Sequence, residues 1–374
     1  MAGIYFHIPF CKKACYYCDF HFSTSLKYKD EMLQAMHTEL DLQKEFIGTH
    51  PVETIYFGGG TPSVLTAGEL QGFIDHVSKL HTVTNEAEIT IEANPDDLET
   101  AHVRDLRRTQ INRFSIGTQS FYDEDLKWMN RAHTASEADS AVKRVQDAGF
   151  ENITLDLIYG YPLLSDMKWK SNIQKVIDLQ VPHVSAYSMT VEQRTALAHF
   201  IKKGKQPPMN DSQSAEQFLL LIESLSQAGF EHYEISNFAK QGFHSRHNTS
   251  YWKGIPYAGI GPSAHSFDGN RRQWNIANNA KYIDSLLKKE IPAEAEVLST
   301  ENRLNEYIMT SLRTIWGMDL NKIEADFGSD YRKEVGKSLE EFLRKGWIGE
   351  KEGVVLLTTE GKLFADHIAA SLFV

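Results

Sequence analysis

The sequence predicts an α/β fold: a TIM-like barrel, whole or partial, over residues 1–290, followed by a mostly helical, winged-helix-like body over 291–374. Three observations predict it. Short apolar runs alternate with helix-length segments through the first two-thirds of the chain, the pattern of parallel strands joined by crossover helices. Polar and chemically reactive residues gather just after successive runs, where a barrel exposes the C-terminal ends of its strands. Past about residue 290 the alternation gives way to consecutive helical patterns and one hairpin-like segment.

Taken in order, strands are expected at Ile4–Ile8, Thr54–Phe57, Glu88–Ala93, Arg113–Gly117, Ile153–Gly160, His183–Met189 and Glu231–Ser236. Helical patterns between them include Tyr28–Phe46, Ala67–Leu80, Ala135–Ala148 and Ser214–Ala228. So many repeats with motifs at the strand ends fit a barrel better than a doubly wound sheet. Beyond the barrel, helices are expected at Asn302–Thr314, Leu320–Phe327, Tyr331–Lys345 and Glu360–Leu372, with a hairpin at Trp347–Thr358. Helices followed by a strand pair are often DNA readers. Residues 301–374 nevertheless carry ten Lys or Arg against thirteen Asp or Glu, whereas a DNA-docking surface should be basic. This body is therefore expected to be a lid or a partner surface.

Composition narrows the class further. An apolar fraction of 41%, with no apolar run approaching membrane-spanning length, indicates a soluble globular protein. The formal charge of −11 argues against wrapping nucleic acid through its phosphates, and no nucleic-acid partner is expected. With three thiols and no export signal, the chain is expected in the cytoplasm.

Those thiols are the chemical core of the sequence. Cys11, Cys15 and Cys18 form C-x3-C-x2-C immediately after the first apolar run. A triplet of this kind gives three thiolates to a cubane 4Fe-4S cluster and leaves one iron open to a substrate or cofactor. A disulfide framework would need an even count and a secreted chain. A structural zinc site would need a fourth ligand, for which His7 or His21 is available.

The segment around the cysteines resembles the radical S-adenosylmethionine (SAM) enzymes, in which the open iron chelates SAM. GGGTPS at Gly58–Ser63 follows the strand TIYF and resembles the glycine-rich segment of that superfamily. The resemblance narrows through YFHIPFC, YFGGGTPS, IEANP, RFSIGTQSF and LDLIYG to the family of oxygen-independent coproporphyrinogen III oxidases and their relatives, the HemW-type haem chaperones. It covers essentially the whole chain. The resemblance implies that Tyr5, Gly59, Gly60 and Thr61 meet the methionyl end of SAM. It implies further that Glu92, Gln119, Arg131 and Asp156 meet its ribose, carboxylate and adenine parts.

Three features favour the chaperone branch. The oxidase motif continues to a fourth cysteine where this chain has Phe20, and the oxidase carries a longer N-terminal extension than the ten residues before Cys11. Third, His247–Trp252 reads H-N-x-x-Y-W, a signature of the chaperone branch. Haem iron accepts a neutral imidazole, and neighbouring aromatic rings can cover the porphyrin face. His247, Tyr251 and Trp252 are therefore the expected haem-binding set, with His265 a second candidate.

The function expected is a haem chaperone that binds a 4Fe-4S cluster, SAM and haem and passes haem to acceptor proteins. One alternative is an oxidase that decarboxylates coproporphyrinogen III to protoporphyrinogen IX with a SAM-derived radical. Another is a binding module with a purely structural cluster. The expected partners are haem, haem-accepting proteins and an electron donor. Transient contact with membrane-bound acceptors and homodimerisation stay open.

Overall fold

The computed structural model describes all 374 residues. Twelve strands form one sheet: β1 (Ala2–Ile8), β2 (Val52–Gly59), β3 (Val83–Ala93), β4 (Arg113–Gln119), β5 (Asn152–Tyr159), β6 (His183–Ser188), β7 (Glu231–Glu234), β8 (Asn237–Ala239), β9 (Tyr257–Ile260), β10 (His265–Phe267), β11 (Arg271–Asn275) and β12 (Ala293–Val297). Their spatial order is β12-β11-β10-β9-β1-β2-β3-β4-β5-β6-β8-β7. From β9 through β6 the neighbours run parallel, and the strands at both ends are antiparallel. The sheet ends on β12 and β7 without closing on itself, which makes it a partial barrel.

Two expectations need correction. The run Glu231–Ser236 is not a seventh parallel strand. It breaks after Glu234 into an antiparallel hairpin with β8, because a connection of two residues can only reverse the chain. The seventh parallel strand is β9, four residues long, on the far side of β1. The boundary at residue 290 also moves, since β12 pairs with β11 along its whole length and carries the sheet to Val297.

Alternation along β1 decides what faces the interior. Phe6 is fully buried against Phe57 of β2 and Phe73 of the helix Ala67–Leu80, with ring centroids 5.0 and 4.9 Å away. Its strand neighbours Tyr5 and His7 point to the opposite face, into the barrel. The crossover helices begin where the sequence can satisfy their free amides. Thr66 and Thr134 form capping boxes with Glu69 and Glu137.

A second, smaller core of 14 buried residues runs from Leu304 to Leu372. It packs helices against a three-stranded antiparallel sheet of Met318–Asp319, Val354–Leu357 and Ile348–Lys351. This body covers the open edge at β7. Ile235 N–H donates to the Arg313 carbonyl at 3.0 Å, and Ile315 N–H donates to the Tyr233 carbonyl at 3.0 Å. Pairing an exposed edge in this way removes a site of aggregation. Arg313 adds ion pairs to Glu234 and Asp366. No helix is long and apolar enough to cross a membrane.

Candidate functional site

A cavity of about 430 Å3 opens at the C-terminal ends of the parallel strands, and Cys11, Cys15 and Cys18 all border it from the loop after β1. That loop is held in several places. Cys11 N–H donates to the Ser23 carbonyl at 3.0 Å, Asn130 donates to the Ala14 carbonyl at 2.7 Å, and Lys12 pairs with Asp96 and Asp97. Gly60 lets the loop come close: a Cβ there would lie 2.6 Å from the Phe10 carbonyl oxygen. Gly59 has φ +103°, and a Cβ on it would meet the His7 ring at 2.7 Å. The glycine run thus builds the cysteine loop as well as baring the cavity.

No three His, Cys, Asp or Glu side chains converge tightly enough to hold a single metal ion. Three thiols spread around one cavity suit a cluster in which each binds a different iron. Burial pushes the Cys11 thiol up to about 11 and the Cys18 thiol up to about 12. Metal binding at this site must therefore release protons. Thr61 donates to Cys11 Sγ and Arg131 to Cys15 Sγ, each at 3.4 Å, so the chain already offers hydrogen bonds to sulfur.

Arg131 is fixed by the Asn94 side chain at 2.6 Å and the Gly117 carbonyl at 2.7 Å. Its Nε has no partner, and neither has the buried Oε1 of Gln119. Buried polar atoms are normally paired, so two orphans at one cavity point to a ligand that completes them. Gln119 also sits at φ +65°, a left-handed conformation that a glutamine adopts at a cost.

Two carboxyls complete the wall. Glu92 accepts from the Tyr56 hydroxyl at 2.8 Å, and Asp156 from Ser115 Oγ at 3.2 Å. Burial, with Asp156 adding its like charge, pushes Glu92 up to about 7. Burial likewise pushes Asp156 up to about 7, against the opposing pull of the Ser115 hydroxyl and the Arg113 charge. Carboxyls so poised can accept hydrogen bonds from ligand hydroxyls or an amine.

A second cavity of about 370 Å3 shares Asp19, Phe20, Gly59 and Glu92 with the first. Tyr5, Tyr251 and Tyr257 supply its rings, and His7, His21 and His265 its imidazoles. Two of these histidines are engaged: His7 Nε2 bonds the His21 carbonyl at 2.8 Å, and His21 Nε2 bonds Asn279 at 2.6 Å.

The structure brings together every residue expected around the cluster and SAM except Tyr5, which borders the second cavity and stacks near Tyr56. The expected haem set divides. Tyr251 faces the second cavity; His247 and Trp252 face neither. His247 is 1% exposed, with Nδ1 on Thr54 Oγ1 and Nε2 on the Tyr251 hydroxyl, both at 2.7 Å. Glu88 anchors the start of its short helix by accepting from the Arg246 and His247 amides. Trp252 lies under the Arg313 guanidinium at 5.5 Å. Tyr17, Ser115 and Tyr187 also line the first cavity and were not expected there. Only Ser115 carried a usable signal, alternating with apolar Phe114 and Ile116.

Residues 5–176 match the model of the Radical SAM superfamily, and residues 298–364 that of the HemN C-terminal domain. The chain is 32% identical over 371 residues to heme chaperone HemW of Bacillus subtilis, covering 98% of each chain. To heme chaperone HemW of Escherichia coli it is 31% identical over 376 residues, covering 98% of this chain and 96% of the other. The solved structure of coproporphyrinogen III oxidase (HemN) from Escherichia coli, described as a radical SAM enzyme, superposes with a TM-score of 0.87 at 22% identity. That match covers all of this chain and 90% of the oxidase, a likeness of fold.

Proposed function

Since the chain belongs to the family of the heme chaperone HemW, within the radical SAM superfamily, we propose that it is a haem chaperone. It binds a 4Fe-4S cluster, SAM and haem, and delivers haem to acceptor proteins. The observation that carries this reading is identity above 30% to heme chaperones over nearly the whole length of both chains. Phe20 at the oxidase's fourth-cysteine position supports it.

Cys11, Cys15 and Cys18 would hold the cluster. Gly59, Gly60 and Thr61 would receive the methionyl end of SAM, with Glu92, Gln119, Arg131 and Asp156 around the rest of the molecule. When bound, the cluster and SAM supply one-electron chemistry, and orientation falls to the protein. Arg131 sets a fixed cation beside the sulfur ligands, and the orphaned Gln119 Oε1 is free to accept a hydrogen bond from a ligand N–H or O–H. Residues 1–297 act as the cofactor body and the C-terminal body as a lid or partner surface. We read the protein as cytoplasmic, served by an electron donor, able to meet membrane-bound acceptors transiently and to pair as a homodimer.

Anaerobic reconstitution with iron, sulfide and SAM, followed by two parallel assays, tests the reading. Haem should pass from the protein to an apo-haemoprotein, and coproporphyrinogen III should stay undecarboxylated under reducing conditions. Steady formation of protoporphyrinogen would replace the chaperone with the oxidase.

A further inference from the structure

We propose that haem lies in the second cavity with the His265 imidazole as its axial ligand, and that His247 is a positioning residue acting through Tyr251. The proposal rests on the haem-chaperone reading and assigns its site.

An axial ligand needs a nitrogen lone pair that the fold has not already used. His247 has none to spare, because Thr54 and Tyr251 engage both of its ring nitrogens. It is also boxed in by aromatic rings, Tyr56 at 4.9 Å and Tyr251 at 4.9 Å between centroids. Exposing it would unpack the interior of β1 and β2. A Cβ at Gly3 would lie 3.3 Å from the His247 ring, so even the backbone is close.

His265 is the reverse case. It begins β10 at the lip of the second cavity, is exposed, and makes no hydrogen bond within the chain through its ring. Trp274 lies beside it, with ring centroids 6.4 Å apart and the planes inclined by 29°. The rest of the cavity is mixed in character: Tyr5, Tyr251 and Tyr257 supply flat rings, Phe20 stands 67% exposed at the shared mouth, and Asp19 and Glu92 set carboxyls beside them. A porphyrin face can lie on such rings. Coordination then forms one bond, from the neutral imidazole nitrogen to iron, with no proton or electron transferred.

The role of His247 follows from its bond to the Tyr251 hydroxyl. Tyr251 meets Tyr257 edge-on at 4.6 Å, so fixing one ring fixes the pair that walls the cavity. Loss of the imidazole would loosen the wall and lower haem affinity while the iron kept its ligand.

Haem titration into the full-length protein, read by the Soret band and by resonance Raman, separates these roles. His265→Ala should lose the imidazole-ligated spectrum and bind haem about tenfold or more weakly, and added imidazole should restore the band. His265→Met should show a thioether-ligated spectrum instead. His247→Ala should weaken binding with the ligand signature intact, Tyr251→Phe should match it, and His247→Gln should recover affinity. An unchanged signature in both His265 variants, or imidazole rescue of His247→Ala, would overturn the assignment while leaving the chaperone reading in place. Failure of the wild-type protein to bind haem would remove both.

Discussion

The two cavities share a wall and differ in how their residues were placed. In the cysteine-lined cavity, the motif residues arrive on loops at strand ends and their side chains point inward. In the aromatic cavity, the motif segment His247–Trp252 sends only Tyr251 to the cavity wall and turns His247 into the barrel core. A loop after a parallel strand has one direction to face, because the barrel's end is where its backbone emerges. A helical segment distributes its side chains around an axis, so neighbouring motif residues must diverge. Proximity in sequence therefore predicts shared function well in the first setting and poorly in the second.

The cysteine cavity should fail outright when a ligand is removed, and this is the largest effect expected. Cys11, Cys15 and Cys18 are the only cysteines, so replacing any one with alanine should abolish the 4Fe-4S spectrum after anaerobic reconstitution. A full cluster in all three variants would erase the contrast between the cavities. A smaller effect should follow at the shared wall. Glu92→Gln and Asp156→Asn should weaken SAM binding by about tenfold to a hundredfold while iron content stays unchanged, as loss of a charged hydrogen-bond acceptor implies. The shift of the reduced cluster's paramagnetic resonance signal on adding SAM provides the titration.

The smallest effect is on stability and depends on pH. The Asp156 carboxyl is raised from 3.8 to about 7 in the folded protein. A raised acid favours folding fully below its unfolded value, and that contribution drains away as pH climbs through the folded value. Asparagine does not titrate. In the cofactor-free protein, Asp156→Asn should therefore gain a few degrees of melting temperature relative to wild type between about pH 5 and pH 8. A gain of equal size at both pH values would mean that the carboxyl is not desolvated in the wall.

How much was legible varies with the kind of evidence in the chain. The triplet of cysteines, the glycine run and the alternation of strands and helices were readable because each is local: spacing and periodicity survive without neighbours. Glu92, Gln119, Arg131 and Asp156 could be expected at one cavity because each follows or sits on a parallel strand. The hairpin at β7 is hidden in the sequence because a two-residue break at the end of the polar-apolar run Glu231–Ser236 leaves it looking like one strand. β9 is hidden as well, because four residues carry too little pattern.

What the sequence by itself determined is the metal chemistry and the class of fold, since thiol number, thiol spacing and hydrophobic period are properties of the chain. What only the tertiary structure decided is which polar atoms remain free. The Nδ1 of His247 is taken by a threonine 193 residues earlier in the chain, and the Nε of Arg131 is left alone by partners drawn from three other segments. Hydrogen bonds between distant segments form only after the strands have fixed their registers, and they alone determine whether a side chain is a wall, a ligand or a support.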